Sequence, residues 1–467
     1  MIADLKPYSE YKESGQPWLG MIPRHWSLQK LKHLTRFVNG LPFKPGSWCD
    51  RGVPIIRIQN LNGSNNFNYT NRRDLPQELL IRPGDLLFAW SGNRGTSFGP
   101  TIWERDFSGY LNQHIFKLDG YSLDTRYFAY VLRAVTRNIE DEKAHGIIGL
   151  VHITKPELGT TKVPIASLEE QIAIVQFLDW VNKRLVRTIR AKRKVIALLN
   201  EQKQAIIHRA VTRGLDSSVP LKPSGIPWLS DIPSHWNVRR VKQVARIVRG
   251  KFSHRPRNDA SFYDGPYPFI QTGSVARAKK FIIQFTQSLN EKGLSVSRLF
   301  PKGTLCMTIA ANIGDVGILD FDSCFPDSIV GFTLRPELER DFLYLAFLCM
   351  KSEFLRDAPV NTQGNLNVER IGPQCIPLPG LNEQKKILKY VETETVSLDA
   401  VITRAEREIE LLREYRTRLV ADVVTGKLDV REAAAKLPVD EQSSETSEEL
   451  VEDDSEMIED EITEPVA

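Results

Sequence analysis

Ser14–Trp26 reads SGQPWLGMIPRHW, and Ser224–Trp236 reads SGIPWLSDIPSHW. The match runs on without a gap to Gly40 and Gly250, with 13 of 27 positions identical. Pro17/Pro227, Trp18/Trp228, His25/His235, Trp26/Trp236 and Lys32/Lys242 all recur. Self-similarity over so long a period is an architectural signal and takes precedence over local readings. A second pair joins VPIASLEEQ (Val163–Gln171) to IPLPGLNEQ (Ile376–Gln384), followed by Thr212-x-x-Leu215-Asp216 and Thr425-x-x-Leu428-Asp429. Between these anchors the halves diverge, keeping only fragments such as Pro54-Ile55-Ile56 with Pro268-Phe269-Ile270 and Asn93-x-Gly95 with Asn312-x-Gly314. The order is therefore variable, shared, variable, shared.

The shared segments read as long helices. Leu388, Val391, Thr395, Leu398, Ile402, Ala405, Ile409, Leu412, Arg416, Leu419 and Val423 follow alternating steps of three and four. That is the heptad spacing of a coiled-coil seam. The first copy keeps the register with Val175, Leu178, Asn182, Leu185, Ile189, Lys192, Ile196, Leu199, Lys203, Ile206 and Ala210. Neither helix contains proline, so each can run about 60–65 Å at ~1.5 Å per residue. Matching length and register favour two helices packed antiparallel over two independent surface helices. Asn182 and Lys192 in the seam are expected to set register at some loss of stability. The variable segments alternate β-rich runs, VPIIRIQN (Val53–Asn60) and PGDLLFAWSG (Pro83–Gly92), with turn signals and the helical stretches Thr125–Val135 and Arg340–Met350. The fold class is thus α+β: two mixed α/β domains, two long antiparallel coiled-coil helices and an internal pseudo-two-fold repeat. The expected boundaries are 1–167, a central helix 168–213, 214–380, a distal helix 381–427, and an acidic tail 428–467.

Charge is unevenly spread. The 467 residues carry 62 Lys and Arg against 58 Asp and Glu, but Asp440–Ala467 holds 13 acidic residues and no basic one. Residues 1–439 are left with 62 basic and 45 acidic side chains, a net +17, which suits a polyanionic partner and nucleic acid first. The tail has the composition of a disordered segment. Met1–Glu13 carries charges and no apolar core, and no apolar run has membrane-spanning length, so the default expectation is the cytosol and no membrane contact. Five scattered cysteines (Cys49, Cys306, Cys324, Cys349, Cys375) form no Cys-x-x-Cys pair, so no metal knuckle or disulfide framework is expected.

Enzyme signatures are missing. The chain contains no Gly-x-x-x-x-Gly-Lys-Ser/Thr loop, no Asn/Asp-Pro-Pro-Tyr/Phe stretch, no Gly-x-Ser-x-Gly and no His-Glu-x-x-His. Asp141-Glu142-Lys143 has a nuclease-like spacing without an upstream Pro-Asp, and reads as a solvated helix end. His25 and His235 lie between Trp and Pro residues and read as packing or capping groups. No catalytic residue and no metal ligand is therefore assigned.

What remains is a binding composition of cations among aromatics and amides. In the first variable segment the candidates are Lys44, Arg57, Gln59, Asn60, Asn62, Arg72, Arg73, Asn93 and Arg94. In the second they are Lys251, His254, Arg255, Arg257, Gln271, Thr272, Ser274, Arg277, Lys279 and Lys280. Arg and Lys can pair with guanine, Asn and Gln with adenine, and the remaining cations with phosphate. The basic run Lys183–Lys194 is open to phosphate, solvent or protein. Leu185, Ile189, Ile196, Leu199, Leu398, Ile402, Ile409 and Leu412 are the expected seam. Antiparallel helices would set two readers on half-sites of opposite polarity. Because their candidate residues differ, the target is expected to be asymmetric, with an unread spacer.

The twin PWLxxIPxHW motifs (Pro17–Trp26, Pro227–Trp236), the twin P-(I/L)-x-x-L-x-EQ helix entries (Pro164–Gln171, Pro377–Gln384) and their order resemble the specificity subunit of type I restriction-modification systems, over residues 8–430. The resemblance implies two target recognition domains reading double-stranded DNA and helices acting as a spacer ruler. It further implies assembly with two methyltransferase subunits and with restriction subunits. S-adenosylmethionine, ATP and Mg2+ would be used by those partners, with no cofactor on this chain. Two other readings stay open at this point: an enzyme of DNA modification or cleavage with a degenerate site, and a coiled-coil scaffold that binds only proteins.

Overall fold

The structure, a computed structural model, describes residues 5–72, 74–143, 150–357 and 366–438. It divides into two compact units, Met1–Arg193 with Arg407–Ala467, and Lys194–Glu406. Both long helices are cut by this division, because each half-helix contributes side chains to the core of one globular domain.

In the first unit a four-stranded antiparallel sheet has the order Gly99–Ile102, Leu86–Ala89, Ile115–Asp119, Arg36–Asn39. Leu86 and Phe88 join a core with Tyr127, Phe128, Val131 and Leu132 of the helix Thr125–Lys143. Leu87, between them, packs on the opposite side with Ile56, Ile81 and Leu111. Burial on both faces explains why this strand is an uninterrupted apolar run. A second sheet, ordered Asn68–Thr70, Val53–Ile56, Gly109–Leu111, Leu80–Ile81, includes one parallel pair, Val53–Ile56 with Gly109–Leu111.

The second unit repeats the plan. Its larger sheet runs Ala245–Arg249, Ile329–Leu334, Leu305–Thr308, Val316–Leu319, with Phe281–Ile282 added in parallel at the edge. Leu305 and Met307 face the helix Arg340–Cys349, and Cys306 faces a separate cluster with Ile270 and Phe325.

The central helix is Leu168–Arg213 and the distal helix Leu381–Val424. In the first unit Phe177, Leu178, Val181 and Leu185 meet Leu419, Val420 and Val423 in one core. Asn182 pairs with Arg416 (3.2 Å) and Lys192 with Glu408, so one helix descends as the other climbs. Leu185, Ile189 and Ile409 are buried and Leu412 half-buried. In the second unit Ile207, Ala210 and Val211 share a core with Ile387 and Val391, and Lys203 reaches Asp399 at 2.6 Å. There Ile402 is buried while Ile196, Leu199 and Leu398 are half-buried. Polar seam positions are thus spent on specific pairs.

Asn182 shows how. It is 2% exposed, donates to the Tyr130 hydroxyl at 2.9 Å and accepts from Arg416. Tyr130 in turn donates to Asp179 at 2.6 Å. Asn182→Ala leaves these groups short of a partner and should cost about 1–3 kcal/mol. A double-mutant cycle with Tyr130→Phe in chemical unfolding should show coupling. Strict additivity would mean that the contact fixes nothing.

Residues 428–438, expected to belong to the tail, are folded. Asp429 donates its backbone N–H to the Lys6 carbonyl (2.8 Å), and Val430, just before the short helix Arg431–Ala435, enters the first unit's core with Ala433 and Ala434 of that helix. Their apolar side chains have a core to enter. Positions 439–467 lie outside the described residues. No helix of the described residues is long and apolar enough to cross a membrane.

Candidate nucleic-acid interface

The doubled motif of the sequence is a junction. In the first unit the His25 ring sits 3.0 Å from the Glu170 carboxylate, and Trp26 Nε1 donates to it at 3.2 Å. Glu170, 4% exposed, also closes a capping box with Ser167 at the start of the central helix. Trp26 stands against Gly426, just past the end of the distal helix, where φ is +77° and a Cβ would lie 2.3 Å from Pro23. Only glycine tolerates both conditions. Arg431 lies over the Tyr8 ring at 5.1 Å and 3.8 Å from Glu170. Burial pushes the Asp429 carboxyl up, but its hydrogen bonds to Arg431 win and hold it below the usual range.

In the second unit His235 meets Glu383 at 3.0 Å, and Trp236 packs on Gly214 past the end of the central helix. The neighbouring glutamines serve the same joints. Gln171 accepts from the Asp124 N–H and donates to the Ala166 carbonyl, while Gln384 accepts from Glu339 and donates to Glu337 and Pro379. Both histidines are thus paired with helix-entry carboxylates.

Burial raises the Cys306 thiol and pushes Cys349 up to about 12, so neither is a thiolate near neutral pH. Asp141 is engaged with Arg94 (2.6 Å) and Glu142 accepts from Asn138 (3.0 Å). Among the described residues no His, Cys, Asp and Glu grouping could hold a metal ion.

The candidate contact residues fall into clusters on the loops above the sheets. In the first unit Arg57 ends the strand Val53–Ile56, lies over the Trp48 ring at 5.2 Å and donates to Asn68. Gln59 is exposed and bonded to the Asn66 carbonyl, and Asn62 ends the one-turn helix Ile58–Leu61. Asn60 is different. It is 2% exposed, accepts from the Arg57 N–H and donates to the Ser64 and Asn66 carbonyls, so its amide builds the turn. Lys44 is exposed on a turn closed by Ser47. Arg72 forms a forked pair with Asp74 that lowers the Asp74 carboxyl. Arg73 lies outside the described residues. Asn93 and Arg94 are exposed at the end of the strand Ser91–Asn93. The turn after it is tied down by Glu140, which accepts from the Gly95 N–H at 2.8 Å and whose carboxyl burial raises.

In the second unit Arg255 and Arg257 converge on Asp327, Arg255 at 3.8 Å. Arg249 donates to the Asp327 carbonyl at 2.6 Å, and Arg298 donates to the Arg249 carbonyl at 3.1 Å. His254 stacks on Phe262 with centroids 4.0 Å apart and lies 3.2 Å from Asp259. Lys251 is exposed beside them. Gln271 precedes the one-turn helix Thr272–Ala276 and donates to Gln287, with Thr272 half-buried and Arg277 exposed at its end. Ser274 is buried within that turn. Lys279 and Lys280 pair with Glu406 of the distal helix (3.3 Å) and Asp341 (2.9 Å). Sequence reasoning passed over Arg249, Arg298 and Asp327. The signal was there in Arg246-x-x-Arg249 beside the Arg255 run, but only folding brings Asp327 across the chain to meet it.

The two turns occupy equivalent places. Arg57-Ile58-Gln59-Asn60 follows the strand Val53–Ile56 and Gln271-Thr272-Gly273-Ser274 the strand Tyr263–Phe269, each in its unit's four-stranded sheet with one parallel pair, and their side chains differ. The type I restriction modification DNA specificity domain matches the chain twice, over residues 23–197 and 233–411. The chain belongs to this specificity family. It is similar to the type I restriction enzyme MjaVIII specificity subunit of Methanocaldococcus jannaschii, 23% identical over 446 residues that span 88% of this chain and 94% of that one. It is similar also to the EcoBI specificity subunit of Escherichia coli, 21% identical over 425 residues and 88% of each chain. A solved structure described as the basis of complex assembly and conformational transition of the type I R-M system shares the fold, with a TM-score of 0.56. The two are 16% identical, and the match spans 87% of this chain and 99% of that one. The repeat of the specificity family therefore coincides with the repeat of the fold.

Proposed function

We propose that this chain is the non-catalytic DNA-specificity subunit of a type I restriction-modification complex, each globular domain reading one half of an asymmetric bipartite target. The observation that carries this reading is the pair of equivalent loop platforms with unlike side chains on a common scaffold. Exposed cations such as Lys44, Arg94, Lys251, Arg255 and Arg257 hold phosphates or guanine edges, and Gln59, Asn62, Asn93 and Gln271 offer amides to bases. Asn60 and Ser274 support their turns. The long helices separate the half-sites, and the protein partners are two methyltransferase subunits and the restriction subunits. S-adenosylmethionine, ATP and Mg2+ are used by those partners, in the cytoplasm. The pairing of His25 and His235 with helix-entry carboxylates supports this reading over an enzyme with a degenerate site.

Exchanging residues 18–165 for the first domain of another family member tests it. Methylated adenines, mapped in cells that also express the methyltransferase subunits, should shift in one half of the target only. A shift in both halves, or none, overturns the modular reading. A chain that binds its protein partners and no DNA at low salt would make it a scaffold instead.

A further inference from the structure

The mechanism above leaves unused the best-framed loop in each domain. In the first unit it is Asn112-Gln113-His114, which links the smaller sheet to the larger. Its counterpart in the second unit is Pro326-Asp327-Ser328. The equivalence rests on shared hydrogen bonds. Leu41 donates to the Leu111 carbonyl as Lys251 donates to Phe325, at 3.1 and 3.0 Å. Gly40 donates to Ile115 as Gly250 donates to Ile329, at 3.3 and 2.9 Å. Trp90 donates to His114 as Ile309 donates to Ser328, at 3.0 and 2.9 Å. The recurring Gly40 and Gly250 are demanded by this loop. A Cβ would lie 1.8 Å from the Asn112 carbonyl oxygen in one unit and 2.2 Å from that of Pro326 in the other. The same frame thus holds three residues that differ at every position between the two units.

Those residues carry the marks of a ligand-facing segment. His114 has φ of +73°, a left-handed conformation costly for a residue with a side chain. Its Nδ1 and the Oδ1 of Asn112 are buried without a hydrogen-bond partner among the described residues. Gln113 is exposed, and its amide has no partner among the described residues. The surroundings are built for nucleic acid. The Asn112 N–H donates to the Ile56 carbonyl at 3.1 Å, one residue from Arg57, and Trp90 packs on His114 and His152 just before the strand Ser91–Asn93, which Arg94 follows. In the second unit Arg249, Arg255 and Arg257 close on Asp327, from the counterpart loop.

We propose that Gln113 and Asp327 are specificity-determining residues at equivalent positions, each reading a base edge in its own half-site. This deepens the specificity-subunit reading and rests on it. A free carboxamide offers one donor and one acceptor, the pattern that matches adenine N7 and N6 in the major groove. A carboxylate only accepts, which suits the cytosine amino group. The same frame thereby delivers different chemistry to the two halves of the target.

The test uses the full chain with its methyltransferase subunits, S-adenosylmethionine and a randomised duplex DNA library, reading which sequences become methylated. Gln113→Ala removes an exposed side chain without an internal partner, so folding is retained. It should relax one position of the first half-site on the order of tenfold or more and leave the second half-site unchanged. Asp327→Asn should alter one position of the second half-site only. A Gln113→Ala library profile identical to wild type, or one weakened equally in both halves, overturns the assignment while the specificity reading stands. A wild-type complex that methylates without any bipartite preference overturns the parent reading, and this one with it.

Discussion

Replacing Trp26 by alanine should destabilise the first unit by about 3–5 kcal/mol, the range for emptying a large buried aromatic site. Trp26 is 1% exposed, packs on Tyr8 with ring centroids 5.7 Å apart, and touches both helix ends at once. Trp236→Ala should cost a similar amount in the second unit, since Trp236 is fully buried against Gly214. The conservative change separates them. Trp26→Phe loses a buried hydrogen bond to Glu170 and should cost about 1–3 kcal/mol beyond the change in area. Trp236 Nε1 has no partner among the described residues, so Trp236→Phe removes an unsatisfied donor and should cost no more than the change in area. Chemical denaturation of the two phenylalanine variants decides the matter. Equal costs would mean that Glu170 contributes nothing through Trp26.

Removing Arg249, Arg255 and Arg257 together should weaken DNA binding by roughly a thousandfold, taking about 1.4 kcal/mol for each contact. The slope of log affinity against log salt should fall by about two to three, because up to three fewer counterions are released. The three side chains already share one region around Asp327, so the protein has paid for bringing like charges together before DNA arrives. A titration of duplex DNA at several salt concentrations, with the methyltransferase subunits present, measures both quantities. An unchanged slope would place this cluster off the DNA. Arg72 is the natural control: it is bidentate with Asp74, and its loss should change the slope by one at most.

Much of the scaffold was legible. The heptad spacing of Leu185, Ile189, Ile402 and Ile409 needs no partner to be recognised, because a helix buries residues three and four apart on one face. The strand Leu86–Ala89 was legible as β from its apolar run, though not that Leu86 and Leu87 serve different cores. The contact residues were legible by type more than by position. Asn60 looked like its neighbours Gln59 and Asn62, yet its amide closes the turn on which they sit. Lys279, read as a candidate contact, meets Glu406 across the fold. Single-residue composition cannot distinguish these cases, since hydrogen-bond partners 4 or 127 residues away decide them.

The amino-acid sequence alone determined the doubled plan, the two long helices and the absence of a recognisable catalytic motif. Repeats, heptads and motifs are properties of order along the chain, and order survives without coordinates. The tertiary structure alone decided what the twin motifs do, joining His25 and Trp26 to Glu170 and His235 to Glu383, across 144 to 148 residues of sequence. It alone set Asn112-Gln113-His114 opposite Gly40 and gathered three arginines on Asp327. Those are distances between remote side chains, fixed by which cores the sheets and half-helices bury together, and linear order does not encode them.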